Sequence, residues 1–478
     1  MTELWQLDPD RALPAEPSTR DLARTIYRHA AALPLVSMHG HVDVGLFAAN
    51  QPFGDPAELL ITPDHYLVRM LVSQGYRHSQ LGVPPREGAQ GADAAEQDPR
   101  AVWRRFCENW HLFRGTPTRY WLEHELAEIF ELSAPPSAAN ADALYDELSA
   151  TLQREDFRPL ALLERMNVEI LATTDSALSD LSGHAALARK LGAGRIVPTF
   201  RPDSLVHVGH QAWPAEVAQL AEVSGVDTGD YAGFLAALRS RRRAFIEAGA
   251  RATDHGHLSA DTTPLPVATA ERIYRDALHG DVQPGDTEAF AAHMLFQMAE
   301  MSTEDGLVMQ LHPGVLRNHS SDIYRQYGPD QGFDVPVRVE FTRNLRPVLE
   351  KFGLSRHFRC ILFTTDETVY SRELAPLAGA YPSIRLGAPW WFLDSPEQML
   401  RFRQSAVETA GFYNTSGFVD DTRAFASIPA RHDLSRRIDA GYLARLVAEG
   451  RLPMDEALDT MVDLAHRLAL TAYAAPNN

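Results

Sequence analysis

Leu33-Pro34-Leu35-Val36-Ser37-Met38-His39-Gly40-His41 is an apolar run that ends in two histidines one residue apart. The run reads as a buried strand. Side chains at i and i+2 of a strand point to one face, so the two imidazoles converge just past its end. Paired imidazoles are the beginning of a metal site. The fold depends on whether the rest of the chain supplies a frame around this strand and a third ligand.

Seven further short apolar runs end in polar residues, at 168–175, 195–203, 250–257, 307–314, 360–367, 383–389 and 416–423. The run at 250–257 is the weakest strand among them. Helical patterns separate most of these runs, at 185–191, 232–249, 286–301, 337–352 and 396–410. Strand–helix repetition implies parallel pairing through right-handed crossovers. Eight such units predict an α/β fold, a distorted (β/α)8 TIM barrel. Active sites in such barrels are built at the C-terminal strand ends. Here those ends carry His39 and His41, Asp175, Arg201, His255, His312, Asp366, Asp421 and Arg423.

The long interval after the first strand holds helical stretches at 103–110, 120–130 and 141–154. It predicts an inserted helical subdomain over 86–160 within a single domain spanning 1–478. Within it, 88–98 is small and polar and predicts a mobile segment. Beyond Arg431 the chain reads as helices to about Ala474.

The 478 residues, 45% of them hydrophobic and 23% charged, suit one large soluble barrel. A net charge of −18 argues against a nucleic-acid or anionic-membrane partner. A local arginine cluster can still hold an acidic ligand. Two cysteines, Cys107 and Cys360, exclude a disulfide framework. The start, Met1-Thr2-Glu3-Leu4-Trp5, has no basic-then-apolar leader pattern, and no run approaches about 18 apolar residues. The expected location is the cytoplasm.

Asp421, at the eighth strand end, is the natural third ligand, because the first and eighth strands of a closed barrel adjoin. Two imidazoles and a carboxylate suit one divalent ion, with zinc expected. Asp420-Asp421 could equally be a helix N-cap or turn pair. His255-Gly256-His257 is a rival pair that could complete this site or form another. His124-Glu125-Leu126-Ala127-Glu128 imitates a zinc-protease HExxH but ends in Glu, and reads as an ordinary amphipathic helix. Arg201 and Arg423 could each hold a carboxylate with a guanidinium fork or form a structural ion pair. His65 and Tyr66 are competent proton carriers. Trp390-Trp391-Phe392 could wall a sugar-like ligand or simply fill core. No GxSxG, P-loop or GxGxxG pattern is present.

Taken in order, these motifs resemble the uronate isomerase (glucuronate isomerase) family of the amidohydrolase superfamily. The matching stretches are the HxH strand, Asp64-His65-Tyr66 with Arg69, and Leu112-Phe113-Arg114-Gly115-Thr116-Pro117 before Trp121-Leu122-Glu123-His124. Thr173-Thr174-Asp175, Pro198-Thr199-Phe200-Arg201-Pro202-Asp203 and Asp254-His255-Gly256 follow. The later ones are Gln310-Leu311-His312 with Arg317-Asn318, Gly328-Pro329-Asp330 with Gly332-Phe333-Asp334, Trp390-Trp391-Phe392 with Asp394, Asp421-Thr422-Arg423-Ala424-Phe425, and Arg431-His432. The chain resembles a divergent member. Val42-Asp43-Val44-Gly45-Leu46 replaces a Leu-Ser-Pro-like stretch, Val68 stands for a Trp, His257 is extra, Pro389 precedes the tryptophans and Ala430 looks inserted.

The resemblance implies a barrel with one divalent metal held by His39, His41 and Asp421. It implies interconversion of an aldose uronate, such as glucuronate or galacturonate, with its ketose. Asp421, Tyr66 and His65 would then be catalytic, and Arg201, Arg423, His312, Trp390 and Trp391 would bind substrate. The partner expected is a small sugar acid, in a homo-oligomer. The alternatives are a metal-dependent amidohydrolase or lactonase on a small carboxylate, and a non-catalytic sugar-acid binder.

Overall fold

The structure is a computed structural model that describes residues 4–476; Met1-Thr2-Glu3, within the stretch read above for a leader pattern, lie outside the described residues. Its strands are β1 (Leu35–Ser37), β2 (Val168–Ala172), β3 (Asp175–Ser176), β4 (Ile196–Val197), β5 (Phe200–Arg201), β6 (Ala252–His255), β7 (Val308–Leu311), β8 (Val315–Leu316), β9 (Val335–Pro336), β10 (Cys360–Leu362) and β11 (Ile384–Leu386). β1, β2 and β4 pair in parallel, as do β3, β5, β6, β7, β10 and β11. β2 and β3 are one stave interrupted at Thr173-Thr174, and β4 and β5 another interrupted at Pro198-Thr199. Hydrogen bonds from Thr173 N–H to the Val197 carbonyl and from Asp175 N–H to the Thr199 carbonyl, each 3.0 Å, carry the pairing across both gaps.

The eighth segment closes the ring without forming a regular strand. Thr415 bridges Leu386, and Ser416 N–H donates to the Leu386 carbonyl at 2.9 Å. Asp421 N–H then donates to the His39 carbonyl at 3.1 Å, and His41 N–H to the Thr422 carbonyl at 2.9 Å. The run at 250–257, the weakest strand by sequence, forms β6, paired to β7 through all four of its residues.

The alternation of the staves sorts the core. Val36, Ile170, Val197, Ala252, Val308 and Ile361 come from six successive staves and pack together as the barrel interior. Their neighbours Leu35, Leu171 and Ile196 face the other way, onto helices. Between β1 and β2 helices fill the connection from Val44 to Arg165. Their Phe47, Leu67, Trp103, Leu148 and Leu162 join the same cluster as Leu35 and Val168. The segment at 88–98 is irregular but held, with Glu96 N–H bound to the Ser79 carbonyl and the Glu96 carboxylate to Arg105. His124 ends the helix Pro117–His124, and a π turn follows at Glu125–Ile129. No protease-like site arises there, because His124 Nδ1 meets Arg11 at 2.8 Å.

One helical expectation shortens. The pattern at 337–352 yields only Arg346–Phe352. Val335 and Pro336 are engaged in the β8–β9 hairpin, and the N–H groups of Phe341 and Thr342 bind the Glu373 carboxylate, so those residues cannot join a helical ladder. The helix Pro396–Ala410 forms as read, and helices run from Ile428 to Ala472. No helix among the described residues is long and apolar enough to cross a membrane.

Arg403 and Asp439 tie Pro396–Ala410 to Ile428–Ala448 by a two-pronged ion pair of 2.6 and 2.8 Å, with both side chains 6% exposed. Removing one partner strands a buried charge, which costs about 3–5 kcal/mol. Asp439→Ala is therefore expected to lower the urea midpoint markedly, and Arg403→Met/Asp439→Leu together to recover most of the loss. A second expectation concerns acid. His293 Nδ1 accepts Leu265 N–H and His124 Nδ1 accepts from Arg11, and burial pushes both imidazoles down to about 4. Unfolded imidazoles titrate near 6.5, so between about 4 and 6.5 the unfolded chain binds more protons. Stability should fall as pH drops through that window, a trend checked by denaturation midpoints at pH 7, 5.5 and 4.5.

Candidate active site

β1 ends at Ser37, and the histidines lie just beyond it, with a bend at His39, laced to the closing segment. Gly40 lets the two segments approach: a Cβ there would stand 3.3 Å from Asp420 Oδ1 and 3.5 Å from the Thr422 carbonyl. Asp421 has φ +43°, a left-handed conformation that non-glycine residues adopt at a cost. The closing hydrogen bonds hold it there and aim its carboxylate at the imidazoles. Asp421 Oδ1 lies 3.3 Å from His39 Nε2 and 3.0 Å from His41 Nε2, yet makes no hydrogen bond. Burial works to raise the Asp421 carboxyl, but the two imidazoles hold it well below the usual range. An orphaned, ionised carboxylate oxygen between two ring nitrogens fits a divalent cation.

Behind this trio His39 stacks on His312, with ring centroids 4.4 Å apart. His312 Nδ1–H donates to Asp254 Oδ1 at 2.7 Å, and Asp254 Oδ2 lies 3.2 Å from Arg201 Nη1. Arg201 Nε donates to Asp203 Oδ2 at 2.8 Å. Burial works against the Arg201 charge, and Asp203 and Asp254 more than restore it. Strand parity explains why Asp254 takes part and His255 does not. Ala252 faces the barrel interior, so Asp254 does too, whereas Thr253 and His255 face outward. His255 and His257 accordingly gather with Asp203 in a separate group.

A cavity of about 630 Å³ opens above His41 and Asp421. Its wall includes His65, Tyr66, Arg201, Trp390, Trp391 and Arg423. His39 and His312, 1% and 5% exposed, lie beneath it. Asp64 caps the helix His65–Val72 by accepting from Tyr66 N–H and Leu67 N–H, which sets His65 and Tyr66 at the helix start facing the cavity. Burial and then the Arg423 charge push His65 down to about 3, so its imidazole is neutral. Burial, reinforced by Asp394, pushes the Tyr66 phenol well above its ordinary value, so it keeps its proton. The phenol hydroxyl is 3.4 Å from Asp394 Oδ2. At the mouth Arg423 Nη2 donates to Asp330 Oδ2 at 2.7 Å, and Arg317 Nη1 to Asp334 Oδ2 at 2.9 Å.

Of the residues singled out from sequence, His41, His65, Tyr66, Arg201, Trp390, Trp391, Asp421 and Arg423 line one cavity with His39 and His312 beneath it, whereas Asp175, His255, His257 and Asp366 do not line it. Three participants carried no assigned role. Arg431 is buried, donates to Asp394 Oδ2 at 2.9 Å and lies 3.7 Å from the Trp121 ring centroid. Asp254 steers His312, and Arg317 lies over Trp391 at 4.9 Å. Asp254 was legible from its parity with the interior residue Ala252. Arg431 and Arg317 had no local signal beyond their charge.

A family model described as glucuronate isomerase matches residues 18–470. The uronate isomerase of Rhizobium meliloti (strain 1021) is 52% identical over 467 residues, covering 98% of this chain and 99% of that protein. The crystal structure of glucuronate isomerase from Caulobacter crescentus superposes with a TM-score of 0.95 at 46% identity, covering 99% of this chain and 98% of that one. The uronate isomerase from Thermotoga maritima gives a TM-score of 0.89 at 27% identity, covering 98% and 100%. With its barrel, its cavity and matches that span nearly its full length, the chain belongs to the glucuronate isomerase family.

Proposed function

We propose that this chain is a uronate isomerase that interconverts an aldose uronate, such as glucuronate or galacturonate, with its ketose. The observation that carries the reading is the unpaired Asp421 Oδ1 between His39 and His41, at the floor of a cavity whose wall carries Arg201 and whose mouth carries Arg423. His39, His41 and Asp421 would hold one divalent ion, zinc by the nature of the donors. Such an ion, when bound, polarises a carbonyl or hydroxyl oxygen of the substrate.

The open-chain sugar acid enters past the Arg423–Asp330 and Arg317–Asp334 pairs, where a guanidinium can exchange its resident carboxylate for that of the substrate. Trp390 and Trp391 present apolar faces to the sugar carbons, and their packing excludes water from the reacting end. Arg201, fixed by Asp203 and Asp254, stabilises negative charge on the C1 and C2 oxygens. The reaction moves the C2 proton to C1 and the O2 hydroxyl proton to O1 through an enediolate, with the C2 proton returned to C1 by the base that removed it. Asp421 is the base that takes the C2 proton, because the Tyr66 phenol holds its own proton too firmly to act first. Tyr66 donates a hydrogen bond to the substrate oxygen, and the neutral His65 accepts one from a neighbouring hydroxyl.

Three outcomes follow. Turnover in deuterated water should place solvent deuterium in the product; complete internal transfer without exchange would mean a hydride shift and remove the enediolate. Chelation should abolish activity and added divalent metal restore it. Asp421→Asn should lose bound metal and lower kcat/KM by more than about 100-fold, measured by metal analysis beside kinetics. An Asn variant with full metal content and undiminished turnover would overturn the ligand assignment.

A further inference from the structure

We propose that Asp203, His255 and His257 form a second divalent-metal site, on the outer face of the barrel wall behind Arg201. Each of the three offers a ligand atom within 4.8 Å of the other two. His255 is fully buried and His257 is 5% exposed, and each carries a ring nitrogen with no hydrogen-bond partner: Nδ1 of His255 and Nε2 of His257. Two buried, unpartnered imidazole nitrogens beside a carboxylate are costly unless something binds them.

The surroundings prepare the donors. His255 Nε2 meets Thr253 Oγ1 at 2.9 Å. An Nε2–H donating there leaves the Nδ1 lone pair free, which is how outer contacts commonly set a metal-binding tautomer. Asp203 Oδ2 is taken by Arg201 Nε, whereas Oδ1 accepts only Gly256 N–H, at 3.2 Å, and keeps lone pairs for a cation. Gly256 permits the arrangement, since a Cβ there would come 2.7 Å from Arg201 Nη2. His207 lies beside His257, with ring centroids 4.5 Å apart at a tilted angle, and is the neighbouring ring from which a fourth ligand can come. Two imidazoles with one carboxylate select a borderline ion, zinc or cobalt, over magnesium or calcium. Ligand atoms around tetrahedral zinc stand about 3.4 Å apart, so occupancy draws the three side chains together. The same Asp203 then grips the ion through one oxygen and Arg201 through the other.

The test is cobalt binding to the full-length protein stripped of metal, counted by elemental analysis after equilibration with excess Co²⁺. Two ions per chain are expected, falling to one in Asp421→Asn and to one in His257→Gln. His257→Gln should retain the ion held by His39, His41 and Asp421. A single ion in the unaltered protein, or an unchanged count in His257→Gln, would overturn the proposal. Should His257→Gln not fold, anomalous diffraction from cobalt-soaked crystals of the unaltered protein decides: a peak among Asp203, His255 and His257 supports the site, and its absence refutes it.

Discussion

Two hydrogen bonds organise this molecule, from Asp421 N–H to the His39 carbonyl and from His41 N–H to the Thr422 carbonyl. They join the first stave to the last, where regular strand pairing has given out. They also fix Asp421 at φ +43° with its carboxylate against both imidazoles. Closing the barrel and bringing His39, His41 and Asp421 together are therefore one event. The local cost of the left-handed aspartate is carried by the closure of the whole ring, as expected of strain held at a functional site.

The charges around the trio form a relay of orientation. Arg201 sits between Asp203 and Asp254, Asp254 holds His312, and His312 stacks under His39. Each ion is satisfied by the next, so the buried charges do not need solvent. Arg431 does the same beneath Tyr66, between Asp394 and the Trp121 ring. The result is a cavity floor with fixed dipoles, the arrangement that stabilises charge developing during a reaction.

Much of this was legible in the residues. The HxH run, the eight staves and the adjacency of Asp421 follow from alternation and barrel closure. The parity of β6 separates Asp254 from His255, a distinction that residue identity alone left open between two HxH pairs. What stayed hidden depended on contacts distant in sequence. The pattern at 337–352 looked helical throughout because nothing local announces that Glu373 captures the N–H groups of Phe341 and Thr342. The eighth run looked like a strand, but only Thr415 and a few hydrogen bonds tie it down. Arg423 could be assigned to the barrel rim, yet its engagement with Asp330 depends on a loop about ninety residues earlier.

The placement of Asp421 on the last stave also sets an order of events during synthesis. A growing chain makes His39 and His41 long before Asp421, the carboxylate that meets both imidazoles in the folded protein. The helices between β1 and β2 can collapse around Phe47, Trp103 and Leu148 while most of the ring is still unmade. The proposed metal site can be complete only after residue 421 has left the ribosome and docked on the His39 segment. On the proposed ligand set, metal loading would be a late step, and a truncated product lacking residue 421 would carry no complete site.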